Sequence, residues 1–93
     1  MTSSAEILSR LLSSETKGDL LVLFHKNPGL IDTISGVALR VGRRGDDITN
    51  DVSDLVDLGV LKKNRIGNSE VLLLDREGDK EIQAAVARYV ESL

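Results

Sequence analysis

The chain has no cysteine, no tryptophan and a single proline. Without cysteine there is no disulfide and no thiolate ligand for a metal. Phe24 and Tyr89 are its only aromatics, 2% of residues, so the stacking platforms that hold single-stranded nucleic acids are missing. The one histidine, His25, has no second imidazole with which to build a zinc site. A core or helix-end role suits it better. No apolar run nears the roughly 20 residues that cross a bilayer, and the N-terminus lacks a basic segment leading into an apolar one. The expectation is a single domain over residues 1–93, in a soluble cytoplasmic protein with one modest core. A basic excess is also absent. The formal net charge is −3, so any face that attracts nucleic acid has to be local.

Catalytic signatures are missing too. Gly36, Gly42 and Gly45 follow no strand and no GK[ST] sequence, and so make no phosphate loop. Asp46, Asp47, Asp51, Asp54 and Asp57 lie in a helical pattern, whereas calcium loops need oxygen ligands on an irregular loop with a turn glycine. The chain reads as a non-enzyme with no cofactor and no metal.

What is present is helical periodicity broken by strong turn signals. Met1-Thr2 is expected to fray. Ser3 and Glu6 stand three apart as in a capping box, and Ile7, Leu8, Leu11 and Leu12 share the face that follows. A second start signal at Ser13–Asp19, with Thr16 and Asp19 three apart, leads into Leu20-Leu-Val-Leu-Phe24. That run is too continuous for a surface helix, which predicts a central buried helix stopped by Asn27-Pro28-Gly29. Leu30-Ile31 suggests a one-rung edge strand. Asp32 or Thr33 then caps a helix whose Ile34, Val37, Ala38 and Val41 repeat at i, i+3, i+4 and i+7, and Gly42 closes it. Arg43-Arg44-Gly45 forms a turn, and Asp46 or Asp47 opens a helix carrying Ile48, Val52, Leu55 and Val56 up to Gly59. Gly67-Asn68 marks a hairpin, with both residues accepting positive φ. After Gly78-Asp79, Ile82, Ala85, Val86, Tyr89, Val90 and Leu93 follow the helical period.

The stretch from Asn27-Pro-Gly29 through Val37-Ala-Leu-Arg-Val-Gly42, with Ile48-Thr-Asn-Asp-Val-Ser-Asp-Leu-Val-Asp-Leu-Gly-Val-Leu61, resembles the winged helix-turn-helix of MarR- and ArsR-type transcription regulators. The resemblance implies an α+β, mostly α, fold: helix-helix-helix-turn-helix, a two-stranded wing and a C-terminal helix. The helix-turn-helix falls at about 33–58, the wing at about 60–74 and the last helix at about 79–92. It implies double-stranded DNA as partner, with Thr49, Asn50 and Ser53 as base-reading candidates. Arg43 and Arg44 in the turn, with Lys62, Lys63 and Arg65 on the wing, are the phosphate candidates. A homodimer through the terminal helices goes with this reading. Against it stand the five aspartates between Gly45 and Val60, a span holding no lysine or arginine. Carboxylates brought against phosphates oppose binding. The alternative is a protein-docking winged helix whose Asp51, Asp54 and Asp57 face a basic partner.

Overall fold

The computed structural model describes residues 3–93, so Met1-Thr2 lies outside the described residues. The described residues form five helices and three short strands: α1 Ser4–Leu11, α2 Glu15–Lys26, β1 Ile31–Asp32, α3 Ile34–Arg40, α4 Gly45–Leu58, β2 Leu61–Ile66, β3 Ser69–Leu74 and α5 Arg76–Glu91. The sheet order is β1-β3-β2, antiparallel throughout. This is the expected helix-turn-helix followed by a wing, with the edge strand one residue later than expected.

Polar side chains cap the starts of α1, α2, α3 and α5 and explain those boundaries. Ser3 Oγ accepts from Glu6 N–H at 3.2 Å, and Thr33 Oγ1 accepts from Gly36 N–H at 3.1 Å, each removing one unpaired donor of a first turn. The cap of α2 is Ser14, which accepts from Lys17 N–H at 3.0 Å, and not the Thr16–Asp19 pair. In α5 the cap is Asp75, accepting from Gly78 N–H at 3.1 Å, so that helix begins about three residues earlier than expected and runs through Gly78. Helix α4 likewise starts at Gly45, with Asp46 and Asp47 inside its first turn. Two helices end on left-handed glycines. Gly42 has φ +71° with Arg43 N–H on the Ala38 carbonyl, and Gly59 has φ +90° with Val60 N–H on the Leu55 carbonyl. Both are the six-to-one closure that glycine permits. At the wing tip only Gly67 is left-handed, φ +59°, while Asn68 is not. Ile66 pairs with Ser69 across that two-residue loop, the pattern of a II′ turn.

Leu20, Phe24, Val37, Ile48, Val52 and Leu55 have no exposed surface, and Val60, Leu61 and Leu72 join them in one cluster. Each such side chain contributes about 1.5–3 kcal/mol by leaving water. The α2 run is not buried all round. Leu20 and Phe24, one turn apart, enter the core, whereas Val22 is 54% exposed. Helix α4 and strand β3 pack against α2 from one side, which leaves the other face open.

Candidate nucleic-acid interface

Helix α4 presents Ile48, Val52 and Leu55 to the core. At 3.6 residues per turn, this fixes where its polar residues go. Thr49, Asn50 and Ser53 are all exposed. Thr49 Oγ1 donates to the Gly45 carbonyl at 3.0 Å, which orients it without withdrawing it from solvent. The fold therefore brings the three base-reading candidates onto one open face.

The aspartates divide between two sides of the same helix. Asp51 Oδ1 accepts from Ser14 Oγ at 2.8 Å. Asp54 Oδ2 accepts from Lys17 Nζ at 2.7 Å, with Arg10 Nη2 at 4.0 Å from its other oxygen. Both point back toward α1 and the start of α2, not toward Arg40 or the wing. Asp47 faces Arg44, its Oδ2 3.8 Å from Nε. Asp46 and Asp57 stay exposed near the two ends of the helix. The acidic surface expected from Asp51, Asp54 and Asp57 is thus not formed: two of its three carboxylates are occupied within the fold, and a basic protein partner there is not favoured.

Lys17 is 4% exposed and gives two of its three N–H groups to Ser13 Oγ, at 2.8 Å, and Asp54. Sequence reasoning missed it. Its signal was position: a cation in the first turn of a helix opposes the macrodipole and so needs a specific partner. The Lys17 ammonium, by its hydrogen bond first and its charge second, holds the Asp54 carboxyl below its usual range. A depressed carboxyl contributes stability that is complete above the unfolded value near 3.8 and is lost as pH falls through the folded one. Acid unfolding followed by circular dichroism should therefore show wild type ahead of Asp54→Asn at pH 5–6, with the gap closing below about pH 3. A gap that does not change with pH would contradict the assignment.

The cations divide as well. Arg43 is 23% exposed; its Nη1 donates to Asp19 Oδ2 at 2.5 Å and to the Val41 carbonyl at 3.3 Å, with Glu15 at 3.9 Å from Nη2. The Asp19 hydrogen bond raises its affinity for the proton further. This arginine ties the turn to α2. Arg44, beside it, is 90% exposed. On the wing, neighbouring residues point to opposite faces. Lys63 and Arg65 lie opposite Leu72 and Glu70, on the face that carries Leu61 and Leu74 into the core, and Lys63 Nζ is 3.7 Å from Glu70 Oε1. Lys62 lies opposite Leu73 and lines a cleft of about 350 Å³ with Pro28–Ile31 and Asp75–Glu77. The three wing cations do not share one face.

No protein-family model matches the sequence, and no curated protein matches it. Solved structures do match the fold. An ArsR family transcriptional regulator superposes with TM-score 0.64 at 18% identity, covering 98% of this chain and 94% of that one. A possible transcriptional regulator for arsenical resistance gives 0.65 at 16%, covering 100% and 98%. The chain shares the winged-helix fold of these two structures. The AntR antimony-specific transcriptional repressor shares it at TM-score 0.63 and 20% identity, over 95% of this chain and 78% of that one. The likeness covers 95–100% of this chain, so the terminal helices of the described residues match these structures together with the helix-turn-helix.

Proposed function

We propose that this chain is a winged-helix DNA-binding protein that regulates transcription. Thr49, Asn50 and Ser53 read base edges, and Arg44, Lys63 and Arg65 grip phosphates, assisted by Lys62 from the far side of the wing. The supporting observation is that Asp51 and Asp54 are turned onto Ser14 and Lys17. Two of the five carboxylates of α4 are thereby engaged within the fold and not presented beside Thr49, Asn50 and Ser53. Arg43 leaves the phosphate set because Asp19 occupies it. Asp46 and Asp57 keep the face from being strongly attractive, so affinity for mixed-sequence duplex is expected near the tens of micromolar typical of non-specific binding.

The proposal includes a homodimer. Helices α1 and α5 pack on one another, and Leu12, Val90 and Leu93 at their ends are 68%, 56% and 86% exposed. These exposed apolar side chains at the ends of the two terminal helices are what a second copy would cover. The antimony specificity of one structural neighbour does not transfer directly. A soft metalloid calls for thiolate ligands, and this chain has no cysteine.

Binding to mixed duplex DNA across salt concentrations tests the function. With three or four phosphates neutralised per protomer, log affinity should fall against log salt with a slope of about −3 to −4 per protomer. Sedimentation in the same buffers should give twice the 10.1 kDa chain mass. Absence of any salt-sensitive binding at tens of micromolar protein would refute the regulator reading.

A further inference from the structure

His25 is the single histidine of the chain, and its surroundings call for two protons. Its Nδ1 lies 2.6 Å from the Leu21 carbonyl oxygen, and its Nε2 lies 2.9 and 3.0 Å from the two Asp79 carboxylate oxygens. Both neighbours are acceptors, whereas a neutral imidazole has one N–H to donate. Both contacts are satisfied when the ring carries two protons or when the Asp79 carboxyl carries one, and the proton count is the same. Asp79 is 6% exposed and also accepts from Gln83 Nε2 at 2.7 Å. A carboxyl this buried depends on its donors. Apart from Gln83, the side chains around the pair are apolar: Leu11 from α1, Leu21 from α2, Val60 from the start of the wing, and Ile82, Val86 and Ala87 from α5. Lys26 faces a different cleft with Asp19 and Arg40, so His25 and Asp79 are the titratable groups here.

The position of the pair links it to α4. Gly78, the residue before Asp79, sits against the Gly59 carbonyl that ends α4. Asp75, the cap of α5, donates its N–H to the Val60 carbonyl at 2.9 Å. The turn of α5 that His25 holds is therefore the turn that abuts the end of α4.

We infer that His25 and Asp79 form a proton-dependent latch that seats the first turn of α5 against α2 and the end of α4. With the shared proton in place, every acceptor around the ring meets a donor. When that proton leaves to solvent, a nitrogen lone pair faces an oxygen at hydrogen-bond distance, and the contact turns repulsive. The unfolded chain has no such contact to lose. Stability accordingly falls as pH rises. This inference concerns the protein without DNA, so its failure would leave the DNA reading untouched, and the reverse also holds.

Imidazole nitrogen-15 and Asp79 carboxyl carbon-13 shifts of the wild-type chain, followed from pH 6 to 8.5, test it with one unambiguous histidine. At pH 7 either both ring nitrogens or the carboxyl should be protonated. The backbone amides of Gly59 and Val60 should shift with the same midpoint as the ring. Over that range the melting temperature of wild type should drop by about 4–8 °C more than that of His25→Gln. If His25→Gln does not fold, Asp79→Asn takes its place, and the wild-type titration needs no variant. A neutral ring beside an ionised Asp79 at pH 7 would overturn the latch. So would pH slopes that match between wild type and variant, or shifts confined to Leu21–Lys26 and Asp79.

Discussion

Alanine in place of Gly78 is expected to cost about 3 kcal/mol or more. A Cβ there would collide with the Gly59 carbonyl oxygen and stand 3.0 Å from its carbon, with Asp75 Cγ at 3.3 Å. Neither obstacle is the free end of a flexible side chain. Gly59 is fixed in the left-handed region at φ +90° and closes α4, and Asp75 is occupied in capping α5. Relief requires α5 to lift from α4, which would carry Ala85, Ile82 and Val86 off the core. The same substitution at Gly18 should have the opposite sign. Gly18 lies inside α2 with nothing within 4 Å of an added Cβ, so alanine there should stabilise by about 0.5–1 kcal/mol through helix propensity and a less flexible unfolded chain. Urea melts of the two variants check both signs. If Gly78→Ala fell within about 0.5 kcal/mol of wild type, the abutment of α4 and α5 would be wrong.

That contact also marks how far the sequence could be read. Helix periodicity, the glycines at 42 and 59 and the Gly67-Asn68 turn were sufficient for the order of elements, because they act within a few residues of themselves. Helix starts were harder. Thr16 and Asp19 looked like a cap, yet Ser14 took the role, because serine there could serve both the Lys17 amide and Asp51. Gly78 read as a break before α5 when it is a close-approach glycine inside it. At the candidate site, periodicity placed Thr49, Asn50 and Ser53 on the outside of α4 correctly. The fate of the aspartates and of Arg43 was not legible, since their partners Ser14, Lys17 and Asp19 lie 24 to 37 positions away in the chain. Pairings over that distance come from how α2 crosses α4, which no local pattern encodes. The separation of Lys62 from Lys63 and Arg65 was available in principle from strand alternation once the hairpin register was known.

The reassigned cations give the second large effect. Arg44→Ala with Arg65→Ala should lower affinity for mixed duplex DNA by about 200-fold at 50 mM salt, shrinking to about 20-fold at 200 mM. Each lost contact removes ~0.9 from the log-log slope, and two contacts over those salt concentrations give these factors. Both residues are exposed, so the double variant should melt like wild type. Arg43→Ala should behave differently. It removes the tie between the turn and Asp19, so it should lower the melting temperature while leaving the salt slope of the folded fraction unchanged. Asn50→Ala belongs to a third class: it should erode discrimination among sequences and leave mixed-sequence affinity nearly intact, because base contacts specify where phosphate contacts position. The comparison separates a phosphate clamp from a structural ion pair within two adjacent arginines. If Arg43→Ala reduced the slope by as much as Arg44→Ala, the Asp19 pair would have to open on DNA, and the turn would bind phosphate with both residues. If neither the double variant nor Asn50→Ala changed binding, the outer face of α4 and the helix-side face of the wing would not be the DNA surface.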